Sequence, residues 1–568
     1  MLLRPKQPSF LRRAKRLLVH WQHQARPCLR HPDQGLRCLG RFLKGHPAAI
    51  AGSFFALFLL VLEIDDRIDD RVMRAWSIIA TNAPGNSGKI RALQYLNQQD
   101  YCLFFGMALC MKSREELTGI DLSRQVQVLP NIDPSKLGNK IVKAPSYLVA
   151  LELAGANLIK ANLSEANLSE ANLSEANLVG ANLIEAQLYE ANLTEALLIR
   201  ANLTEAQLVR ANLTEAQLVR ANLTEAQLDG ANLSKAQLER AKLVRANLTG
   251  AQLIKASLTE AQLVRARLTE ANLYKANLTE AQLDKARLVR ANLTKAQLVR
   301  ANLAEANLYE ANLTEAQLVR ANLTQAVLTQ AVLTEANLYK VDLTEAKLDK
   351  AQLVRANLTE AQLVTVVLTQ ADLTQADLTQ ADLTYAILAQ ANLTEANLTE
   401  ANLIDADLLR ANLIKANLTE AQLIWADLTE AQLVWADLDR ANLNRANLTE
   451  ANLLSASLRG TWLEGADLTS VTIEEANLNE ASLSGANLSE ARAHGINLTK
   501  AKVKDVIWSG VDFTQHFLET PKSLQLKITN EQLQQGCIKK GFPVIFPPDR
   551  PDLKQPPVCT EQQLKPWR

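Results

Sequence analysis

Ala156-Asn157-Leu158-Ile159-Lys160 is followed at once by Ala161-Asn162-Leu163-Ser164-Glu165, and the same five-residue phrase continues without a break from about Ser146 to about Leu518. A period this short, held through most of a 568-residue chain, is an architecture and outranks local preferences for helix or strand. The spacing excludes both regular elements. At about 100° per residue, five residues turn a helix by about 500°, so the leucines would spiral round it and never form a stripe. In a flat strand, an odd spacing sends alternate leucines to opposite faces. A short extended piece followed by a bend satisfies the pattern. Ala156 and Leu158, two apart, then share the inner face, while Ile159 and Lys160 turn the corner and face out. Such a chain winds into a coil whose successive turns hydrogen-bond as parallel strands.

The phrase is a small residue, then Asn or Asp, then Leu, then two variable positions. In this it resembles the pentapeptide-repeat family. The resemblance implies an all-β solenoid, a right-handed quadrilateral parallel β-helix with about twenty residues per coil. Roughly seventy-five repeats then make about 18 to 19 coils, a rod about 90 Å long at about 4.8 Å per coil. Leu stacks on Leu inside, with Ala leaving room, and Asn157 and its equivalents are expected to bond nearby backbone, as Asn does in turns.

Proline bounds this body independently. None lies between Pro145 and Pro521, and proline lacks the N–H that a ladder needs. The sequence therefore divides into a basic leader (1–47), an apolar segment (48–64), a small helical adaptor (65–145), the repeat solenoid (146–520) and a tail (521–568).

Formal net charge is zero, but the average hides an asymmetry: the leader carries about ten net positive charges and the repeat is net negative. Phe10, Leu11, Ala14, Leu17, Leu18 and Trp21 recur at helical spacing with Arg12, Arg13, Lys15 and Arg16 between them. That is the pattern of a helix lying on an anionic membrane surface. His20, His23, Cys28, His31 and Cys38 match no closed metal-site spacing, and no Cys-x-x-Cys occurs, so no metal is expected. Ala48 to Leu62 is continuously apolar and reaches the short end of a membrane span when extended to Gly45 and Ile64. The leader is too long for an ordinary signal peptide, and a signal anchor fits better. Basic residues before the span and Glu63, Asp65, Asp66, Asp69 and Asp70 beyond it orient the chain. The leader is expected to be cytoplasmic and the solenoid periplasmic or thylakoid-lumenal; without a span the solenoid would be cytoplasmic.

Between anchor and repeat, Ile64, Ile68, Val72 and Trp76 recur every fourth residue, and Gly88 to Gln98 reads as a second helix. Gly88-Lys89 is no phosphate loop, because Ala83 and Ile90 stand where Gly and Ser or Thr are required. Trp76 to Leu122, with its Gly-Ser loop ahead of the repeat, is similar to N-terminal regions of cyanobacterial pentapeptide-repeat proteins. Such a segment would cover the open edge of the first coil. After Thr461 the inward pattern loosens, with Ala493, Val503, Trp508 and Phe513 at the Leu position, and reads as a fraying end. Asn530 to Lys540, closed by Gly541, reads as a helix capping the last coil.

Candidate functional residues lie on the outside. A residue is expected to stack on the one twenty further along, so Lys235, Lys255, Lys275 and Lys295 form one column and Glu165, Glu185, Glu205 and Glu225 another. The acidic stretch 165–195 and the basic stretch 235–300 suggest salt-sensitive self-association. Trp425 and Trp435 occupy corners that usually carry charge, and exposed Trp is a favoured interface anchor. Together these residues form the candidate surface for a protein partner. All six cysteines lie outside the repeat, and no nucleophile, base or cofactor motif occurs within it. An enzyme is not expected, and no cofactor is implied. Some members of the resembled family mimic duplex DNA and bind DNA gyrase, which is the alternative reading. The basic stretch at 235–300 interrupts the negative charge such mimicry needs, so nucleic-acid-like behaviour is not favoured.

Overall fold

The computed structural model describes residues 100–103, 109–112, 153–514, 527–548 and 550–564. They belong to two units, Met1–Ser113 and Arg114–Arg568. The basic leader and the apolar segment 48–64 lie outside the described residues.

In the first unit, β1 (Asp100–Leu103) pairs antiparallel with β2 (Leu109–Lys112), with Tyr101 opposite Met111 and Cys102 opposite Cys110. The helices expected at Ile64–Trp76 and Gly88–Gln98 lie outside the described residues, and these two strands fall elsewhere in the stretch 65–145, which the sequence reads as a small helical adaptor. Short apolar runs such as these are compatible with either element by periodicity, and here backbone pairing took them as strands.

The second unit is the solenoid. Its coil is fixed by backbone bonding. Short parallel pairings join each face residue to the one twenty ahead, from Asn157 with Asn177 to Arg492 with Asp512. One repeat, Ala201 to Glu205, shows why the phrase has its composition. The Ala201 N–H closes a turn on Leu198 O (3.0 Å), and the Asn202 N–H reaches down to Ala181 O (2.9 Å). The N–H groups of Leu203 and Glu205 reach up to Asn222 O (2.6 Å) and Thr224 O (2.9 Å). Only the Thr204 N–H lacks a backbone partner, and it donates to Asn202 Oδ1 at 3.2 Å. All five donors are therefore used, as backbone away from water demands. The Asn side chain supplies the fifth acceptor, which bears out its expected role.

The inward positions are dry: Ala201 is 1% exposed and Leu203 0%. The same holds for the Ala and Leu of every coil to Leu458, with Val341 and Val366 replacing Ala without opening the ladder. Every fifth residue from Gly155 to Gly510 has a positive φ, such as 57° at Glu205. This is the left-handed region, which costs a non-glycine residue about 1 kcal/mol. The corner is nevertheless held, because each such residue from Gly155 to Glu490 donates its N–H to the next coil.

The end expected to fray does not. The ladder runs on through Phe513, whose N–H donates to Ile545 O at 2.9 Å. Thr461 is buried, and its hydroxyl donates to Leu438 O (2.9 Å). Ala493, Val503, Trp508 and Phe513 are all fully buried. The larger side chains plug the bore: Trp508 and Phe513 lie 6.3 Å apart, and Phe513 stacks on Phe546. Over this plug, Lys527, Cys537 and Ile545 pair with Asn497, Ile507 and Asp512, replacing a further coil. Helix α1 (Asn530–Gln534) spans one side, started by a capping box between Thr529 and Gln532. It is shorter than the helix expected to Lys540. The Cys537 N–H returns to the ladder at Val506 O (2.9 Å), which ends it. A last segment pairs Val558 with Ile538, a disulfide joins Cys537 to Cys559, and α2 (Glu561–Leu564) follows.

Candidate functional site

The solenoid interior is filled with Ala and Leu, so whatever it recognises must be read from its corners. These are the left-handed residues, and their side chains point to solvent. Successive corners of one coil are five residues apart, and residues twenty apart form vertical columns. Between bonded coils the column step is about 4.8 Å.

Lys235, Lys255, Lys275 and Lys295 fall in one such column. Its ends are closed by carboxylates: Lys235 Nζ lies 2.8 Å from Glu215, and Lys295 Nζ lies 3.2 Å from Glu315. Lys275 lies over the ring of Tyr274, 5.2 Å from its centre. The pairing corner to corner is therefore vertical, as in Arg240 with Glu260 (2.8 Å) and Arg410 with Glu430 (2.7 Å). Hydrogen bonds from Arg240 and Arg410 hold the Glu260 and Glu430 carboxyls below the ordinary carboxylate range. Glu310 is lowered likewise, by Arg290 first and then Tyr309, and Glu360 by Lys340 and then Tyr339. These groups are solvent-facing, so the pairs fix side-chain direction more than they stabilise the fold.

Trp425 and Trp435 are exposed, at 53% and 58%. They do not form one patch. They are ten residues apart, half of a twenty-residue coil, and so stand at opposite corners. Each is covered on one ring face by a cation from its own column. Arg445 lies 4.8 Å from the Trp425 ring centre, and Lys415 lies 5.9 Å from that of Trp435. The sequence reading missed the residue that does share an edge with Trp425. Tyr385, 57% exposed, lies two coils below it in the same column, and exposed Ile387 begins the adjoining face. The signal was present, an aromatic residue at a corner between Gln380 and Gln390, and only the column assignment links it to Trp425.

Two shallow, open grooves follow these corners. One runs along Glu185, Glu205, Glu225, Arg245 and Arg265; the other follows Glu175, Glu195, Glu215 and Lys235. Neither encloses a substrate-sized space. Among the described residues no cluster of His, Cys, Asp and Glu could hold a metal, and no helix is long and apolar enough to cross a membrane. The arrangement can bind a surface by charge and aromatic contact.

A family model of pentapeptide repeats matches residues 152–515 in overlapping stretches. This chain belongs to the pentapeptide-repeat family. Several solved structures are similar to it. HetL, a pentapeptide-repeat protein involved in heterocyst differentiation regulation from the cyanobacterium Nostoc, is 37% identical. That match covers 37% of this chain and 89% of HetL, with a TM-score of 0.31. QnrB1, a plasmid-mediated fluoroquinolone resistance protein, is 18% identical, covering 35% of this chain and 90% of that one, with a TM-score of 0.23. A pentapeptide-repeat protein of the Arabidopsis thaliana thylakoid lumen is 28% identical, covering 16% of this chain and 67% of that one, with a TM-score of 0.10. No functionally curated protein sequence matches this chain. The pentapeptide-repeat family and the solenoid geometry agree, and the solenoid is a right-handed quadrilateral β-helix. Family members are generally structural or interaction proteins, not enzymes.

Proposed function

We propose that this chain is a non-enzymatic pentapeptide-repeat rod, tethered to a membrane through residues 48–64, that presents its corners to a protein partner. The observation that carries this reading is the pair of tryptophans at left-handed corners. Trp425 has a φ of 63° and Trp435 a φ of 57°, and both remain more than half exposed. A bulky side chain gains nothing for the fold in such a position, whereas an exposed Trp beside a cation is well suited to anchor a partner. The Cys537–Cys559 disulfide supports an oxidising compartment for the solenoid, consistent with a periplasmic or lumenal side. The basic leader would then hold the other side against anionic lipid.

The test is capture from native membranes with the full chain, in parallel with Trp425→Ala and Trp435→Ala. A partner retained by the unmodified chain and lost by either variant is expected. Equal capture by all three removes the tryptophans from the reading. The acidic column Glu165, Glu185, Glu205 and Glu225 favours a second reading, a mimic of nucleic acid acting on a topoisomerase such as gyrase. Potent inhibition of DNA supercoiling by the chain would establish that reading in place of the first.

A further inference from the structure

One corner carries Glu175, Glu195, Glu215, Lys235, Lys255 and Lys275 in that vertical order. The order follows from the pairings that join its adjoining face, Asn177 to Leu197, Leu197 to Gln217, Gln217 to Gln237, Gln237 to Ser257 and Ser257 to Asn277. All six side chains are exposed. The sign of charge reverses between Glu215 and Lys235, with three residues of one sign on either side; the next residue of the column, Lys295, is taken up by Glu315 at 3.2 Å and lies outside the matched row. Such a row is its own complement when turned end over end. We propose that two copies of this chain associate antiparallel along this corner, about a two-fold axis between Glu215 and Lys235. The inference rests on the interaction-rod reading and names the partner as a second copy.

In this arrangement Glu215 meets Lys235 of the second copy, Glu195 meets its Lys255, and Glu175 meets its Lys275. Two-fold symmetry repeats every pair, as an isologous contact requires. A parallel arrangement would oppose like charges at every step. Within one copy the row is largely unsatisfied. Only the central pair, Glu215 and Lys235, forms an ion pair, at 2.8 Å. Among the described residues Glu175, Glu195 and Lys255 have no ion-pair partner, and Lys275 lies only against its neighbouring ring. Stacking like charges costs stability in an isolated chain, and an antiparallel copy removes that cost by supplying the opposite sign. The surroundings permit approach. The preceding corner bears glycine at Gly230 and Gly250, with nothing within 4 Å of where a Gly250 side chain would begin. The following face offers the shallow groove along Leu197, Gln217 and Gln237.

The experiment is sedimentation of the full chain in a non-ionic detergent, at about 50 mM and about 500 mM salt, where screening differs severalfold. Three variants accompany it: Glu195→Lys, Lys255→Glu, and both together. A dimer at low salt and a monomer at high salt are expected for the unmodified chain. Each single reversal places like charges together twice and is expected to raise the dimer Kd about tenfold or more. The double variant exchanges the two signs and is expected to return to within about threefold of the unmodified chain, since its complement is restored. Unchanged thermal melting of all three confirms that the fold is intact. A monomer at low salt overturns the proposal, and so does a double variant no better than either single one. If a monomeric chain still captures a different protein from membranes, the self-pairing falls while the interaction rod stands.

Discussion

Gly536 lies against the indole of Trp508 with no room for a side chain. A Cβ on it would overlap the indole Nε1 and Cδ1 and the carbonyl of Val506. The contact couples the plug of the bore to the segment laid over it. Gly536 is followed by Cys537, which joins both the ladder and the disulfide. Replacing Gly536 with Ala is therefore expected to lift the cap and cost about 1–3 kcal/mol, as overpacking does. The measurable sign is earlier melting together with faster proteolysis after residue 513. Unchanged melting and proteolysis would show that the cap tolerates displacement from the plug.

One methylene separates the side chains that close the turn from those that do not. Asn202 Oδ1 accepts from the Thr204 N–H, and Asn222 stacks above it at 3.2 Å. At the equivalent position on the next face, Gln207 sends its amide to Glu205 O instead. The longer side chain overshoots the turn. Asn202→Gln is expected to destabilise by about 1 kcal/mol, the usual worth of such a bond, and Gln207→Asn to stabilise by a similar or smaller amount. Thermal melting of both variants checks the pair. Effects of the same sign would refute the assigned role of the amide.

The corner ion pairs give a pH dependence of definite sign. Glu260, Glu310, Glu360 and Glu430 are held below the ordinary carboxylate value of 4.5 by hydrogen bonds to Arg240, Arg290, Lys340 and Arg410. A depressed folded value means that their contribution is present above the ordinary value and lost as pH falls through the folded one. A variant with all four changed to Gln is expected to melt slightly earlier than the unmodified chain at neutral pH. The gap should close on acidification through the carboxylate range, and should be smaller in high salt. A gap that stays constant with pH would contradict the assignment.

The topology is open to direct labelling. In sealed vesicles of known orientation, after mild reduction, an impermeant thiol reagent is expected to reach Cys28 and Cys38 from the cytoplasmic side only. Cys559, half-buried beside its disulfide partner, should react from the other side only. Reaction of all three from the cytoplasmic side would show that residues 48–64 do not span, and would return weight to the topoisomerase reading.

Much of this protein is local information and is legible in its sequence. The two-residue spacing of Ala156 and Leu158 fixes what points inward. The absence of proline between Pro145 and Pro521 leaves every N–H of the repeat free to join a ladder, and Asn157 announces the turn. Those properties depend on a few neighbouring atoms, so a five-residue phrase can encode them. The number of phrases that close a coil is not encoded in the phrase. It is set by backbone bonds between residues twenty apart, such as Asn202 N–H to Ala181 O and Leu203 N–H to Asn222 O. Only once the coil closed were Trp425 and Trp435 put on opposite corners, and Tyr385 beneath Trp425. The far end shows the same division. The change from Leu to Trp508 and Phe513 reads as decay along the chain, but as a plug once residues 527–545 return over them. Period and polarity are properties of one strand, whereas edges, columns and caps exist only where distant strands meet.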